Sequence, residues 1–395
     1  MGKVWELAAL EYRKILRKRS TWIGIVFLLL TACLNPLFSI FEGTYYEGVL
    51  VATQSEWKRL RHEETDRIAG TVDAAFLEEA ERSVLDYYAQ RGENEGDVDW
   101  YRDTYSRLML PYDMFFYVMP VSAEWTGADV DAYYRQYEDA IRRGYAGELE
   151  GQDMEDFVAM SRKNQPFTYG WMDAYRLFCN NQCIIGILCC LVVSFCLAGM
   201  FAGETSVRMD ALILSSRYGK NHVLLAKLLC GIGFSAMLGI FVTLFHFLVT
   251  GMCYGFEGAK LTAQMYFPHC AWNLTLGQFA WIVSGCTVIA TIFTGCLAMS
   301  ISAFVKTPVP VLVVLVVFLF GPLFLFLPAE WRVVNILYHL LPTNLLYSGG
   351  DFMHVFRVGD IFVTGWQYAY PVYFIVCTAL VAAAYRGYKH RQVGG

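Results

Sequence analysis

VLLAKLLCGIGFSAMLGIFVTLFHFLVTGMCY, residues Val223 to Tyr254, decides the fold class. It holds one charged residue, Lys227 at its start, and one imidazole well inside, His246. A helix over this stretch, rising 1.5 Å per residue, exceeds the roughly 30 Å hydrocarbon core of a bilayer. Five other apolar segments qualify in the same way: Thr21 to Phe41, Gln182 to Phe201, Phe279 to Val305, Val309 to Leu327 and Trp366 to Tyr385. The expected fold is an all-α polytopic membrane protein with six transmembrane helices.

Composition agrees, since 56% of the chain is hydrophobic and only 17% charged. The net charge of −5 hides two opposed regions. Glu42 to Phe178 holds 28 of the 36 acidic residues and 14 of the 31 basic ones, a net −14, which leaves +9 for the rest. Basic residues favour the cytoplasmic side of short loops. Lys3, Arg13, Lys14, Arg17, Lys18 and Arg19 precede the first segment. Arg208, Arg217, Lys220 and Lys227 join the second to the third, Lys306 joins the fourth to the fifth, and Arg386, Lys389, His390 and Arg391 follow the last. With six spans these clusters share one side. Both termini are then cytoplasmic, the insert 42–178 is extracytoplasmic, and a plasma-membrane location follows. External loops would run over 255–278 and 328–365, the second with an interfacial helix, and a short tail over 386–395.

The first span reads as an uncleaved signal-anchor, with a long apolar stretch and no small-residue cleavage site after it. Asn35 and Pro36 near its outer end point to a kink or to early unwinding. Residues 1–20 read as an amphipathic surface helix, with Trp5, Ala8, Tyr12 and Leu16 on one face and Arg13, Lys14, Arg17 and Lys18 available to anionic headgroups. A purely topogenic charge cluster is the other reading.

The insert is long enough for a small, mostly helical domain. One helix is expected from Thr71 to Gln90, capped by Thr71 or Asp73, with Val72, Ala75, Phe76, Ala80, Val84 and Tyr87 or Tyr88 in a stripe. A second runs from Asp129 to Tyr145 with Tyr133, Tyr137, Ile141 and Tyr145 in line. The aromatic residues read as core rather than as a ligand grip. Most of the twelve cysteines lie within spans as small apolar residues, and only Cys179 and Cys270 are placed outside. A disulfide-stapled insert is not expected.

Small residues recur every fourth position in two spans: Gly186, Cys190, Ser194 and Ala198 in the second, and Gly231, Ser235, Gly239 and Thr243 in the third. Such stripes let helices approach closely in lipid, so these spans should pack on each other or on a partner subunit. In the fourth span Ser284, Thr287, Thr291 and Thr294 form a polar stripe. It should face other helices or a solvated path, with packing preferred because these hydroxyls also bond their own backbone. His246 reads as a hydrogen-bonded structural residue rather than a switch.

Several function classes lose support. A proton- or sodium-coupled carrier needs buried carboxylates or cations, and the spans nearly lack them. No intramembrane aspartate pair, serine-hydrolase elbow, zinc motif or Walker A loop is present. No cofactor, metal or nucleic-acid partner is expected.

The loop 202–222 carries the remaining signal. It contains Glu204, Arg208, Asp210, Leu214-Ser215-Ser216, Arg217 and Gly219-Lys220, with Lys227 opening the third span. This pattern resembles the permease subunits of type-2 ATP-binding-cassette (ABC) transporters: an acidic residue after the second span, a short helix, a Leu-Leu-Ser-like step, a Gly-Arg or Ser-Arg turn, then a Lys. Glu11 to Trp22 resembles their approach to the first span, and the large insert is a hallmark of one branch. Arg208-Met209 departs from the pattern where Gly or Thr is common, and Lys220 where Arg is common. The resemblance implies a coupling helix over Glu204 to Ser216, with Glu204, Arg208, Asp210, Arg217 and Lys220 docking a cytoplasmic ABC ATPase subunit. It also implies a second permease chain as homo- or heterodimer partner and a translocation path along the spans. The chain itself would then be no enzyme, because hydrolysis belongs to the partner. A membrane-anchored ligand sensor without transport is the alternative, and an ion-coupled carrier a third.

Overall fold

The computed structural model describes residues 2–41, 43–46, 49–94, 96–112, 115, 129–215, 219–325, 327, 331–347 and 354–389. It is 79% helical. Among the described residues, five helices are long and apolar enough to cross a membrane: Arg19–Phe38, Asp173–Ser206, Asn221–Tyr254, Leu276–Phe304 and Gly365–Lys389. The fifth apolar segment of the sequence forms only a shorter helix, Pro308–Phe324. The protein is thus an all-α, membrane-embedded, multi-pass chain.

In chain order, α1 (Gly2–Arg17) leads into α2 (Arg19–Phe41). The insert contributes α3 (Gln54–Ile68), α4 (Ala74–Arg91), α5 (Val98–Leu108), α6 (Val130–Tyr145) and α7 (Gly151–Arg162). The chain continues through α8 (Asp173–Leu197), the short α9 (Ala202–Ser206) and α10 (Met209–Ser215), then α11 (Leu224–Tyr254) and α12 (Leu276–Phe304). Finally come α13 (Pro308–Phe320), α14 (Arg332–His339), α15 (Pro342–Tyr347) and α16 (Gly365–Lys389). Three two-stranded antiparallel ladders decorate the helices: β1 (Gly43–Tyr46) with β2 (Val49–Thr53), β3 (Gly70–Thr71) with β4 (Thr168–Tyr169), and β5 (Phe356–Val358) with β6 (Ile361–Val363).

α12 is the central post, packed against α8, α11 and α16, while α2 lies against α8 and α11. The small-residue stripes explain the close approach. A Cβ on Gly231 would lie 2.2 Å from Met299 Sδ, and one on Gly295 would lie 2.1 Å from Ser235 Oγ. Gly239 faces Thr291, and Gly186 faces Leu346 and Thr287. α8 and α11 are neighbours, yet both stripes receive α12 as well as each other. Large apolar side chains point outward from the spans, among them Phe27 and Leu30 of α2, Met237 and Phe241 of α11, and Phe374 of α16. Such a surface is unfavourable in water and at ease in lipid. α2 continues through Pro36 to Phe41 rather than unwinding early.

The insert sits on one end of the bundle and shares its core. Leu77, Tyr137, Ile141 and Phe157 join a single buried cluster with Tyr254, Phe279 and Val283 at the ends of α11 and α12. Trp171 Nε1 donates to Tyr254 O at 2.6 Å, and Lys58 donates to Cys253 O. Segment 255–278 belongs to this core through Ala263, Met265 and Cys270, and Tyr137 OH donates to Cys270 O. Among the described residues every cysteine is free.

Details of the insert differ from the sequence reading. α4 starts at Ala74, and Asp73 caps it by accepting Phe76 N–H at 3.0 Å. Thr71 belongs to β3. Leu77 rather than Ala75 faces the core, and Tyr87 is buried where Tyr88 is exposed. Ala75 fails because the inward stripe runs one residue further round the helix. The aromatic stripe of α6 is core, with Tyr133, Tyr137, Ile141 and Tyr145 all buried.

Candidate functional site

The end of the bundle opposite the insert gathers a set of buried charges around Lys227. α8 stops at Ala198, where Ser302 of α12 intervenes. Its Oγ accepts the N–H groups of Phe201 at 3.1 Å and Ala202 at 2.9 Å, and donates to Ala198 O at 2.7 Å. This hydroxyl supplies partners for backbone groups freed where a helix ends. It fixes the short α9, whose Glu204 then points back into the bundle.

Glu204 Oε1 lies 2.6 Å from Lys227 Nζ, in the first turn of α11. Glu11 of α1 approaches the same ammonium at 3.2 Å, and Met200 O accepts from it at 3.3 Å. Lys227 is only 1% exposed, and the carboxylates of Glu11 and Glu204 are 8% and 14% exposed. The Phe201 ring lies 5.8 Å from the ammonium, which adds a cation–π contact. Lys14 closes the ring of charges at 2.6 Å from Glu11 and 3.5 Å from Glu204. Tyr388 OH, from the far end of α16, donates to Glu204 Oε2 at 3.5 Å. Two carboxylates and two ammonium groups therefore balance. A lone buried charge would be costly, whereas this set compensates itself. Burial pulls the Lys14 ammonium down, but the Glu11 hydrogen bond and the Glu11 and Glu204 charges outweigh it and raise its pKa.

This knot joins α1, the start of the 202–222 loop, α11 and α16. The Glu204 carboxylate is engaged with Lys227 and Tyr388 inside the protein. On α1, Ala8, Glu11 and Ile15 face the protein, while Trp5 and Leu16 of the expected surface face are exposed.

The other loop charges are placed as follows. Arg208 is exposed and has φ +56°, the left-handed region where glycine is at ease, between α9 and α10. Asp210 lies on α10 and Lys220 in the turn Gly219–Val223, with side chains outside the description. Arg217 lies outside the described residues.

A second polar centre lies inside the bundle, nearer the insert. Gln182 of α8 donates from Nε2 to Thr243 Oγ1 at 2.9 Å and to Thr287 Oγ1 at 3.1 Å. Its Oε1 lies 2.8 Å from His246 Nδ1, which must then carry the proton. His246 is fully buried beside the Phe178 ring, and its Nε2 has no partner. Hydrogen-bonded burial is what the sequence led us to expect of His246.

The hydroxyl stripe is turned onto its own helix. Ser284, Thr287, Thr291 and Thr294 donate to the carbonyls of Ala280, Val283, Thr287 and Ala290, each four residues back. Ser235 does the same to Gly231 O. The stripe, with Gly231, Ser235, Gly239 and Thr243 opposite, is helix packing around the Gln182–His246 centre.

Two members of these centres carried little signal in the sequence. Glu11 sits in a basic segment that holds one other acid, Glu6. Gln182 is uncharged at the edge of an apolar window, and nothing local marks it. Comparison with protein-family models, with curated proteins and with solved structures finds no match for this chain.

Proposed function

We propose that this chain is the membrane-spanning permease subunit of an ATP-driven exporter of the ABC type. A separate cytoplasmic ATPase would act on the 202–222 loop, and a second permease chain would complete the path. The observation that carries this reading is the Glu204–Lys227–Glu11 knot. Glu204 and Lys227, which open and close the stretch that carries the resemblance, are bonded to each other. They bind the loop to α1 and α11, so that a force on α9 and α10 reaches two further helices through short, buried bonds. Exposed Arg208 remains available as a docking charge.

Topology supports the same reading. α12 ends at the knot end, where Ser302 and Pro308 meet residues 198–202. α16 starts at the insert end, where Trp366 packs on the insert core. The chain between them has to cross, and Pro308–Phe324 is our sixth crossing. Both termini are then cytoplasmic in a plasma membrane, with the insert outside.

The test is purification from the native membrane in mild detergent, with mass spectrometry of whatever stays bound. A stoichiometric soluble subunit with a Walker A loop is expected. Arg208→Glu should weaken its retention while the chain stays folded. No retained ATPase, with the chain's own oligomer intact, overturns the reading. A ligand sensor then moves forward, supported by the core that the insert shares with the span ends.

A further inference from the structure

Three segments meet at the insert end in a line of polar side chains. Glu148 lies in the turn after α6. Its Oε1 accepts the His354 N–H at 3.2 Å and its Oε2 the Val355 N–H at 2.7 Å. The same Oε1 lies 2.9 Å from His354 Nδ1. His354 has φ +61°, a left-handed backbone that these bonds hold in place. On its other side, His354 Nε2 lies 2.9 Å from His339 Nδ1 at the C-terminal end of α14.

The protons follow from the partners. A carboxylate only accepts, so His354 Nδ1 carries a hydrogen and, in the neutral ring, Nε2 does not. Asn335 O, 2.8 Å from His339 Nδ1, also only accepts. His339 Nδ1 therefore carries the hydrogen that His354 Nε2 receives. One added proton can be held by the pair on His339 Nε2, which leaves Nδ1–H donating to His354 Nε2, with Glu148 as counter-charge. A second added proton cannot, because two N–H groups of like charge would face each other at hydrogen-bond distance.

Both ends of the line are anchored. Glu148 belongs to the insert. Tyr338, beside His339, donates to Pro322 O at 2.6 Å and to Leu325 O at 2.7 Å, and Tyr373 of α16 donates to Leu340 O at 2.7 Å. The histidine pair therefore bridges the insert and the helix layer over the spans. Among the described residues, the titratable groups facing it are Glu148 from the insert, Tyr338 from α14 and, toward Glu148, Tyr368 from α16. Arg357 of β5 is taken by Asp153 and Asp156 of α7, at 2.8 and 2.6 Å.

We propose that Glu148, His354 and His339 form a proton-operated latch. It holds the insert to α14 while the pair holds at most one added proton, and it releases α14 when both rings are charged. The latch does not depend on whether an ATPase drives the chain.

Hydrogen exchange with mass spectrometry, on the full chain in lipid nanodiscs, tests it at about pH 7.5 and about pH 5. After the intrinsic pH dependence of exchange is divided out, peptides over 332–340 and 354–363 should exchange about tenfold faster at the lower pH, the scale of one lost charge-assisted hydrogen bond. A peptide over 151–162 should not change. His339→Phe keeps the Glu148–His354 bond and the ring packing but removes the second titrating ring, so the acid-induced step should vanish. His354→Gln should also abolish it and serves if the first variant does not fold. An equal exchange rate at both pH values in the natural protein, or a step that survives either substitution, overturns the latch.

Discussion

Replacing Lys227 by Met tests the buried charge knot most directly. The methionine nearly matches the stem of the lysine, so packing against Phe201 and Met200 is kept and only the ammonium is lost. What remains is Glu11 and Glu204, 8% and 14% exposed, both within reach of the vacated position. Lys14 still neutralises one of them, but at 57% exposure its pairs are screened and worth at most about 1 kcal/mol. Removing one partner from a buried ion set costs about 3–5 kcal/mol, mostly from the charges left behind. For a chain of this length, with roughly 1–2 °C per kcal/mol, the melting temperature should fall by about 5 °C. The assay is thermal unfolding of the detergent-solubilised protein, followed by tryptophan fluorescence. The discriminating variant is the triple Glu11→Gln, Lys227→Met, Glu204→Gln, which removes every charge that needed a partner. It should recover to within about 1 kcal/mol of the natural protein, because the whole set can be replaced far more cheaply than it can be broken. If Lys227→Met melts within about 1 °C of the natural protein, or if the triple variant is no better than the single, the knot is not the compensated set described above.

Three further outcomes follow from single contacts. Gln182→Leu removes the hub of the inner polar centre and leaves His246 Nδ1–H without its acceptor; thermal unfolding should show a loss of about 1–3 kcal/mol, reduced when His246→Phe is added. Gly258→Ala should loosen the insert from the bundle: φ is +94° there, and the new Cβ would lie 2.4 Å from the fixed Trp171 carbonyl, so limited proteolysis should cut the insert faster in the variant. Burial raises the Glu148 carboxyl, but the His354 side chain and the Val355 and His354 N–H groups outweigh it, and its pKa falls below the ordinary 4.5. A depressed carboxylate stabilises the fold above its unfolded pKa and loses that contribution as pH falls through the folded value. The natural protein should therefore lose stability below about pH 4.5 by more than Glu148→Gln does, which unfolding curves across that range would show.

What the sequence made legible was what each residue determines locally. Hydropathy over a window sets where a helix can lie in lipid, so the apolar segments stood out without knowledge of their neighbours. Val309 to Leu327 was the exception. Its apolar run reads as a full span, yet Gly321 and Pro322 end the α-helix at Phe320 and a tight 3₁₀ turn follows. The helix caps were equally local, and Asp73 was readable because its target lies three residues on. The site was legible by residue type but not by direction. Glu204 and Lys227 stood out as charges beside spans, but their pairing depends on Glu11, 216 positions from Lys227. That long-range bond brings α1 to a pair of charges that lie beside the spans.

The same logic explains why the two polar centres differ in their visibility. At the knot, Glu204 and Lys227 sit near helix ends and Glu11 on a surface helix, where a polar residue is unremarkable and water is the obvious partner. The packing of α1 against α11 removes that water and gathers three ordinary charges into one buried set. At the inner centre, Gln182 stands at the edge of an apolar run, and its partners, Thr243, His246 and Thr287, come from two other helices. A lone glutamine in lipid is unfavourable, so it needs partners from elsewhere in the bundle, and the hydroxyl stripe of α12 is where one of them lies. The glycines opposite that stripe bring α11 close enough for the other two. The stripe and the small-residue spacing are therefore one device. The glycines set the distance between helices, and the buried amide fixes which faces meet at that distance.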